Sequence, residues 1–503
     1  MKPWPFALVG VALFSLTATL FAEDRLGPYG DGSHRRCSNS ILPFQLQMIK
    51  AIVLDPQKRQ NPGTAAPRGS RWGSTRNKNI VSRAGEIALL TPGTSGTDIG
   101  IYSQTGQLLR QFPTALSKST RGEWGSSTEG RDLRPGEFSV YWASDDTLHF
   151  QSSGDNFHYG AFDAMTGAAR TWAGTSSFNM HGYFGMCDGC PAVILSASGH
   201  GQGNTYFKFK VNGVAKNMSN TPHDFNNPTP LMDATTVYVT CPETIPSAAL
   251  SGTTYTFGYG TKVRSLNYVP ATGTYNTGWT WSIPNDANAR GYDGMAASKP
   301  WCMDATRICL ITHPAIYHFD LDQPSTLRVL SRATGAQTMS TSLGKIITGN
   351  LLSYQVSLSG DRLAVLSVRM TSNTSTHLQC VDLNGGAVSW QYDYNPTETT
   401  VDDQWHAETT RVYATDAEIC VCWTATNATK KTVDVIVDRF SWNGGSPIRA
   451  KFSIPVPGVG TQAYVQDFVI LDGYAYALIT YREFVAGGTF TGGGQLLAIM
   501  GSP

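Results

Sequence analysis

Apolar and polar positions alternate along this chain in short runs typical of β-strands, and the runs come in pairs. The clearest pair lies in residues 301–312, where a polar turn from Asp304 to Arg307 separates two apolar runs. Turn-forming residues between two such runs predict a β-hairpin. Seven further hairpins have the same pattern, and each has a marker residue at its turn: Gly85, Asp145, Asp188, Asp233, Ser359, Asp416 and Asp472.

Together with Asp304, these markers recur roughly every 55 residues, which indicates a repeat architecture. A second kind of turn follows each of the first seven hairpins and precedes another strand: Thr105-Gly106, Thr166-Gly167, Asn212-Gly213, Thr272-Gly273, Thr334-Gly335, Asn384-Gly385 and Asn443-Gly444. Two tight turns per unit give four antiparallel strands, and a ring of such units protects its sheet edges. We therefore predict an all-β fold, an eight-bladed β-propeller with four-stranded antiparallel blades, with seven blades as the alternative.

The last unit needs a strand from elsewhere to complete its sheet. It has a strand pair around Asp472 and a third strand at 494–500, but no fourth strand follows. Because an open edge must be covered, we expect residues 71–81 to add the missing strand. We assign the propeller itself to residues 81–503.

The chain before the propeller divides into two parts. Residues 1–22 carry Lys2, then an apolar run that ends at Ala22, which is typical of a signal peptide. Residues 23–80 form a polar leader that includes the closing strand. Within it, four apolar residues recur on one helical face and predict a short amphipathic helix: Leu42, Leu46, Ile49 and Val53.

Composition and charge narrow the function classes. The net charge is +1, and the leader has no aromatic residues interleaved with its basic ones as a stacking platform, so we expect no nucleic-acid partner. After residue 22 no apolar run is long enough for a stable membrane span. The signal-like start predicts an extracytoplasmic location, either periplasmic or secreted.

Nine cysteines suit an exported chain with disulfides. Cys302 and Cys309 flank the turn at Asp304 and are predicted to lie opposite each other, so they are candidates for a cross-strand disulfide. Cys187 and Cys190 form a C-x-x-C pair across another turn. A structural disulfide is the favoured interpretation there, and a redox site is the alternative.

Some repeats resemble a known family. The segment Cys380-Val-Asp-Leu-Asn-Gly-Gly-Ala-Val-Ser-Trp390 resembles the repeat of the PQQ-like (quinoprotein-like) propellers, which reads Ala-x-Asp-x-x-Thr-Gly-x-x-x-Trp. Residues 161–167 with Trp172 are similar, with one extra residue before the Trp. The resemblance covers roughly residues 70–500 and implies a propeller whose members include PQQ-dependent dehydrogenases and non-catalytic assembly factors.

The shared positions also have physical roles. The Asp can accept hydrogen bonds from backbone N–H groups of its turn. A Trp on the outermost strand can cover the next blade, and the candidates are Trp172, Trp279 or Trp281, and Trp390. The resemblance implies PQQ and calcium only for the enzymes, which carry two adjacent cysteines. The closest cysteine pairs of this chain are Cys420/Cys422 and Cys187/Cys190, and neither pair is adjacent.

Candidate chemistry lies in the long connections opposite the tight turns. These connections are predicted at 116–137, 174–186, 217–230, 242–262, 285–300 and 395–410. They contain polar residues that could bind a metal, an anion or a sugar-like ligand at the mouth of the central channel: His181, His223, Asp224, Arg290, Asp293, Asp402, Asp403 and His406. None of these residues has metal-ligand spacing, so simple surface polarity is the alternative.

These observations favour a non-catalytic propeller that acts as a binding or assembly scaffold. Its partner, a protein or a glycan, would bind the long-loop face. No catalytic residue and no cofactor are predicted. The alternative class is an enzyme, either a PQQ-dependent quinoprotein oxidoreductase with PQQ and calcium or a carbohydrate-active propeller.

Overall fold

The computed structural model describes most of the predicted strands. It covers residues 37–55, 80–92, 96–117, 138–142, 146–152, 157–170, 174–176, 180–187, 190–197, 207–211, 214–217, 231–233, 235–244, 259–269, 271, 274–283, 297–312, 325–344, 353–368, 376–394, 410–427, 432–456, 462–485 and 489–502. These residues form strands, turns and irregular segments, and they contain no helix. Consequently no helix in this part of the chain is long and apolar enough to cross a membrane.

Two strands precede the first sheet, β1 (Cys37–Ser38) and β2 (Gln47–Asp55). Sheet 1 contains β3 (Val81–Arg83), β4 (Glu86–Pro92), β5 (Gly96–Ser103) and β6 (Leu108–Ser117). Sheet 2 contains β7 (Phe138–Trp142), β8 (Thr147–Ser152), β9 (Phe157–Asp163) and β10 (Gly174–Ser176). Sheet 3 contains β11 (Met180–Cys187), β12 (Cys190–Ala197), β13 (Phe207–Val211) and β14 (Val214–Asn217). Sheet 4 contains β15 (Leu231–Met232), β16 (Thr236–Thr244), β17 (Tyr259–Val269) and β18 (Thr274–Ile283).

The second half of the chain repeats the arrangement. Sheet 5 contains β19 (Ala297–Met303), β20 (Arg307–Thr312), β21 (Thr326–Ser331) and β22 (Gln337–Ser342). Sheet 6 contains β23 (Ser353–Ser359), β24 (Arg362–Val368), β25 (Thr376–Asp382) and β26 (Ala387–Asp393). Sheet 7 contains β27 (Thr410–Thr415), β28 (Glu418–Asn427), β29 (Thr432–Ser441) and β30 (Ile448–Pro455). Sheet 8 contains β31 (Gln462–Leu471), β32 (Tyr474–Val485) and β33 (Thr489–Gly501), and β2 completes it.

Strands β3 to β33 form antiparallel meanders in which successive strands are neighbours. The two leader strands are the exceptions, since β2 pairs with β33 in sheet 8 and β1 adds parallel to β27 in sheet 7. The first strands of successive sheets contact one another, as β19 contacts β23, β23 contacts β27, and β27 contacts β31. Sheet 8 in turn contacts sheet 1 through β2 and β4, so the series closes on itself. First strands therefore surround an axis, and the predicted all-β propeller with four-stranded sheets is confirmed. The described strands form eight sheets, one for each hairpin marker.

Six marker residues lie where the first strand of a sheet turns into the second, while Asp145 and Asp188 lie outside the described residues, between β7 and β8 and between β11 and β12 along the chain. The capping predicted for the Asp of the resembling repeats is confirmed, because Asp163 Oδ1 accepts hydrogen bonds from the backbone N–H groups of Met165 at 3.0 Å and Thr166 at 2.9 Å, and Asp382 Oδ1 accepts one from that of Asn384 at 2.9 Å. Two of the marker residues form the same kind of cap. Asp233 Oδ1 accepts hydrogen bonds of 2.8 Å from the backbone N–H groups of Thr235 and Thr236. Asp304 Oδ1 accepts 2.7 Å bonds from the corresponding groups of Thr306 and Arg307. The Thr-Gly and Asn-Gly turns connect third to fourth strands, so both kinds of turn lie on one face, the tight-turn face.

Neighbouring sheets meet through a recurrent contact between an outer-strand side chain and a glycine. The side chain lies on the fourth strand of one sheet, and the glycine, with positive φ, lies in the second tight turn of the next. The contact occurs at five seams, between Phe112 and Gly167, Trp279 and Gly335, Met339 and Gly386, Trp390 and Gly444, and Ile52 and Gly106. The predicted covering role is thus confirmed for Trp279 and Trp390, while Trp172 lies outside the described residues.

The two tryptophans also form hydrogen bonds across their seams. The indole N–H of Trp279 donates to the carbonyl of Arg332 at 2.8 Å, and that of Trp390 donates to the carbonyl of Trp442 at 2.9 Å. A buried indole is most stable when its N–H has such a partner. Each tryptophan therefore contributes both apolar area and a directional bond between sheets.

Charged groups link the turns of neighbouring sheets on the tight-turn face. Arg307 pairs with Asp304 in its own turn and with Asp361 in the turn of sheet 6. Arg332 pairs in the same way with Asp233 of sheet 4. Burial tends to raise the pKa of Asp304, but the hydrogen bonds from Thr306 and Arg307 and the charge of Arg307 outweigh it, so the pKa is lowered. This carboxylate therefore stabilises the folded state when it is ionised.

The closing strand of sheet 8 comes from the leader, but not from the expected residues. β2 (Gln47–Asp55) pairs antiparallel with β33 and occupies the place of the fourth strand. Of residues 71–81 only Ile80 and Val81 lie within the described residues, and Val81 is the first residue of β3. The position expected for the closing strand was wrong. The apolar side of β2 completes the interface between sheets 8 and 1, where Ile52 lies beside Gly106.

The amphipathic helix expected around Leu42, Leu46, Ile49 and Val53 was also wrong. Residues 39–46 are irregular, and β2 begins at Gln47. Leu42 and Leu46 are buried with the apolar residues of sheets 7 and 8, whereas Val53 is exposed. The open edge of β33 provides backbone hydrogen bonds in a sheet, and this long-range pairing prevails over the local helical pattern.

We expect Gly335→Ala to destabilise the protein more than Gly360→Ala. Both glycines have positive φ, 72° and 53°, so each substitution incurs a backbone cost of about 1 kcal/mol. A Cβ at Gly335 would lie 2.4 Å from Trp279 Cε3, whereas a Cβ at Gly360 would meet nothing within 4 Å. Displacing the indole adds about 1–3 kcal/mol. Urea unfolding of both variants measures the difference, and equal losses would contradict the seam contact.

We expect Asp304→Asn to lower the free energy of unfolding at pH 7 by about 1–2 kcal/mol, because charge-assisted hydrogen bonds are lost. The folded-state pKa of Asp304 lies below its unfolded value of about 3.9. Its contribution is therefore complete above that value and disappears as the pH falls through the lower folded pKa. Urea titrations from pH 7 to pH 2 should show the variant and the wild type converging in acid. A difference independent of pH would refute this role.

Candidate functional site

The face opposite the tight turns carries the longer connections and is the candidate functional site, here called the long-loop face. Connections from second to third strands and from fourth strands to the next sheet must leave this end, because strands alternate in direction. They include residues 118–137, 218–230, 245–258, 284–296 and 394–409. The connection expected at 174–186 is instead built mainly from strands β10 and β11, so that expectation was wrong.

One predicted site residue lies on a described strand. His181 is the second residue of β11, the innermost strand of sheet 3, and it is paired in register with Ser196. This position is at the long-loop end of the strand. The other predicted residues lie outside the described residues, in connections that leave the same face: His223, Asp224, Arg290, Asp293, Asp402, Asp403 and His406. Their convergence into one site remains a prediction.

Polar side chains on the innermost strands join sheets 6, 7, 8 and 1 around the axis. The Gln355 side chain of β23 donates to the Thr410 carbonyl at 2.6 Å and accepts from the Val412 N–H at 3.1 Å. Arg411 Nε donates to the Gln466 carbonyl at 3.1 Å. The next carboxylate along β31, Asp467, accepts from the Ile80 N–H at 2.8 Å. These side chains therefore form hydrogen bonds with backbone groups at or near the innermost strands, which border the axis.

A histidine–carboxylate pair lies at the long-loop end of sheet 6. His377 on β25 and Asp393 on β26 are directly opposite in register, with 2.5 Å between Nδ1 and Oδ1. Burial tends to raise the pKa of Asp393, but hydrogen bonds from His377 and Gln391 prevail and lower it. Because the carboxylate is ionised, Nδ1 of His377 is the donor of this hydrogen bond. The pair therefore provides an oriented imidazole.

Sequence reasoning missed this pair because neither residue lies in a long connection. The turn at Asn384-Gly385 contains the only available signal. His377 and Asp393 are at nearly equal distances on either side of that turn, which places them opposite each other in a hairpin. The same strands begin the connection 394–409, which contains Asp402, Asp403 and His406.

The candidate disulfide pairs occupy equivalent places in two sheets. Cys187 and Cys190 are register partners across the first hairpin of sheet 3, and Cys302 and Cys309 are partners across the first hairpin of sheet 5. The side chains of Cys302 and Cys309 are buried. Register thus agrees with the cross-strand arrangement expected for both pairs, and the covalent bonds remain a prediction.

Cys420 and Cys422, the closest substitutes for the adjacent cysteines of the PQQ enzymes, lie on the second strand of sheet 7 in the apolar core shared with sheet 8. Burial raises the pKa of both thiols, which are therefore poor nucleophiles. In the part of the chain that the structure describes, no three His, Cys, Asp or Glu residues are grouped to hold a metal ion.

No protein-family model and no curated protein matches the chain. Solved structures do match. Quinohemoprotein alcohol dehydrogenase from Comamonas testosteroni is 11% identical, with a TM-score of 0.48 over 95% of this chain and 81% of that one. Dihydro-heme d1 dehydrogenase NirN is 10% identical, with a TM-score of 0.43 over 89% and 79%. The N-terminal domain of Nup159 is 10% identical, with a TM-score of 0.35 over 83% and 98%. At such identities the similarity concerns the fold alone.

Cys302 and Cys309 are separate thiols in this structure, and we expect them to form a disulfide under oxidising conditions, because they are opposite in register and buried. Replacing both by Ser should lower the free energy of unfolding by about 2 kcal/mol, as expected for a short closed loop. Peptide mapping without reductant, after alkylation of the denatured protein, should yield the linked peptide. Recovery of both residues in alkylated form would contradict the assignment.

Proposed function

We propose that the protein is an exported, non-catalytic β-propeller of the PQQ-like kind that acts as a binding or assembly scaffold. Its long-loop face would bind a protein or a glycan. The proposal depends mainly on the difference between the two faces. The tight-turn face uses its polar groups for contacts between sheets, whereas the long connections leave the opposite end.

The bonds of the tight-turn face show this difference residue by residue. Arg307 bonds to Asp361 of the next sheet, and Ser359 Oγ donates to Asp416 Oδ1 at 2.6 Å. Gln104 of sheet 1 donates to Asp472 of sheet 8 at 2.6 Å. Groups that already have partners within the protein gain little from an outside ligand. Long connections held by a rigid scaffold are the usual place for recognition.

An oxidoreductase that uses PQQ and calcium is the second candidate, because the repeats around Trp390 and at 161–167 resemble those of quinoproteins. The buried positions of Cys420 and Cys422 make it the less favoured one. A carbohydrate-active propeller is a further alternative, and the His377–Asp393 pair is the described group that would suit it. The extracytoplasmic location is part of the proposal and is supported by the signal-like residues 1–22.

Shortening a long connection should abolish partner binding without unfolding the propeller. We expect replacement of residues 245–258 by a four-residue Gly/Ser turn to weaken binding at least tenfold. The first measurement would be a glycan array, followed by cross-linking mass spectrometry with the native secretome. Met165→Ser is the matched control, because Met165 is 63% exposed in a turn of the tight-turn face.

The control variant should retain full binding, and thermal unfolding should show both variants folded. Equal binding by the wild type and the shortened variant would argue against a role for that connection, and binding lost only in Met165→Ser would place the partner on the tight-turn face. Protein reconstituted with PQQ and calcium tests the enzyme class. A bound quinone together with dye-linked alcohol oxidation would overturn the non-catalytic assignment.

A further inference from the structure

The N-terminal strand β1 lies on the inner side of sheet 7, where a propeller has its central channel. β27 is the innermost of the four consecutive strands of that sheet, and β1 adds to its axial edge as a fifth strand. The pairing is parallel, with Cys37 opposite Ala414 and Ser38 opposite Thr415. β1 also contacts β23 and β31, the innermost strands of sheets 6 and 8. It is thus surrounded by the first strands of three sheets.

Burial shows that this strand fills the space around it. Cys37 is 5% exposed and Ser38 is 0% exposed. A strand in a wide, water-filled channel would expose its side chains, so β1 must be packed on all sides. Thr415, its partner at the end of β27, is likewise fully buried. Thr415 is the last residue before the turn at Asp416. The part of the channel that β1 fills is therefore its tight-turn end.

The chain turns sharply as it leaves the channel. The Ser40 N–H donates to Ser38 Oγ at 2.9 Å, and the Asp416 N–H donates to the Ser38 carbonyl at 3.1 Å. Residues 39–46 then run to the outer edge of sheet 8, where β2 begins, and the Ile41 carbonyl lies near Gly473. The path therefore leads from the axis to the rim of the tight-turn face.

Arg439 holds the segment 39–46 in place through three backbone carbonyls. Its guanidinium donates to the carbonyls of Pro43 at 2.6 Å, Phe44 at 3.0 Å and Leu42 at 3.4 Å. Glu418 accepts from Arg439 Nε at 2.8 Å, and the side chains of this pair are 14% and 8% exposed, respectively. The planar guanidinium, with several donors in fixed directions, suits such a set of backbone carbonyls. Leu42 and Leu46 add apolar burial on either side of it.

We propose that residues 37–46 are a built-in plug, held by Arg439, that closes the tight-turn end of the channel. Any ligand of the channel then enters from the long-loop face. The plug goes beyond the proposed function, since it determines which mouth is open whatever the partner is. It can also be tested without a partner, so its failure and the failure of the scaffold assignment are distinguishable.

The direction of β1 agrees with this role. β27 runs from the long-loop end at Thr410 to the tight-turn end at Thr415, and β1 runs parallel to it. The plug therefore leaves the channel at the tight-turn mouth and then covers that mouth. The plug, residues 37–46, continues directly into β2, which ends at Asp55. One continuous segment of nineteen residues therefore closes both the channel and the ring.

Hydrogen exchange followed by mass spectrometry on the full chain tests the plug. In the wild type, we expect the amides of Ser40 and Asp416, which donate to Ser38, to exchange as slowly as those of β28. In Arg439→Met, the amides of residues 38–46 should exchange at least ten times faster, while β33 keeps its protection. Arg449→Met is the matched control. It breaks a bidentate pair with the buried Asp438 in the same sheet, and Arg449 lies on β30, the strand of that sheet farthest from β1.

Rapid exchange of the Ser40 and Asp416 amides in the wild type would overturn the plug. So would equal acceleration in both variants, because that would indicate a general loosening of sheet 7. If Arg439→Met does not fold because Glu418 is left buried and unpaired, the double variant Glu418→Gln/Arg439→Met removes that charge. The double variant should show the same local loss of protection. Unchanged protection in it would contradict the role of Arg439 in holding the plug.

Discussion

The contact between an outer-strand side chain and a glycine of the next sheet is the constraint on which this ring depends. A four-stranded meander has too little apolar area to be stable alone, so each sheet must bury one face against its neighbour. The glycine lets the turn approach Trp279 or Trp390 closely, and the indole N–H then bonds to a carbonyl of that turn. The contact recurs at five seams, so the same pairing of a bulky side chain with a glycine holds successive sheets together.

Closure of the ring is a separate problem, which the N-terminal leader solves. Sheet 8 has only three strands of its own, and β2 adds the fourth by pairing with β33. The closing strand then repeats the seam contact, since Ile52 meets Gly106 and Lys50 Nζ donates to the Gly106 carbonyl at 2.8 Å. β2 is thereby joined to β33 by backbone pairing and to sheet 1 by the side-chain contact at Gly106. Closure depends on residues more than 400 positions apart in the sequence.

The limit of sequence reasoning follows from this distinction between local and distant contacts. The turns at Asp233 and Asp304 were predictable because an Asp caps backbone groups only two and three residues away. The strand β2 was not predictable in this way. Leu42, Leu46, Ile49 and Val53 have helical spacing, and only pairing with the distant edge of β33 stabilises a strand there. The His377–Asp393 pair required the register of a hairpin, which turn residues indicate but do not fix. Residues of the long connections have no local pattern that would determine their arrangement.

The two faces of the ring therefore have different capacities for function. On the tight-turn face, Asp304, Asp361 and Asp416 each have a partner within the ring, and the segment held by Arg439 crosses its rim. Exchanging these contacts for an external ligand would require breaking charge-assisted bonds between sheets, so binding there would weaken the scaffold. On the innermost strands, Gln355, Arg411 and Asp467 link neighbouring sheets by hydrogen bonds that involve none of the long connections. A ring of this kind can acquire or lose a partner on the long-loop face while its stability is maintained on the other.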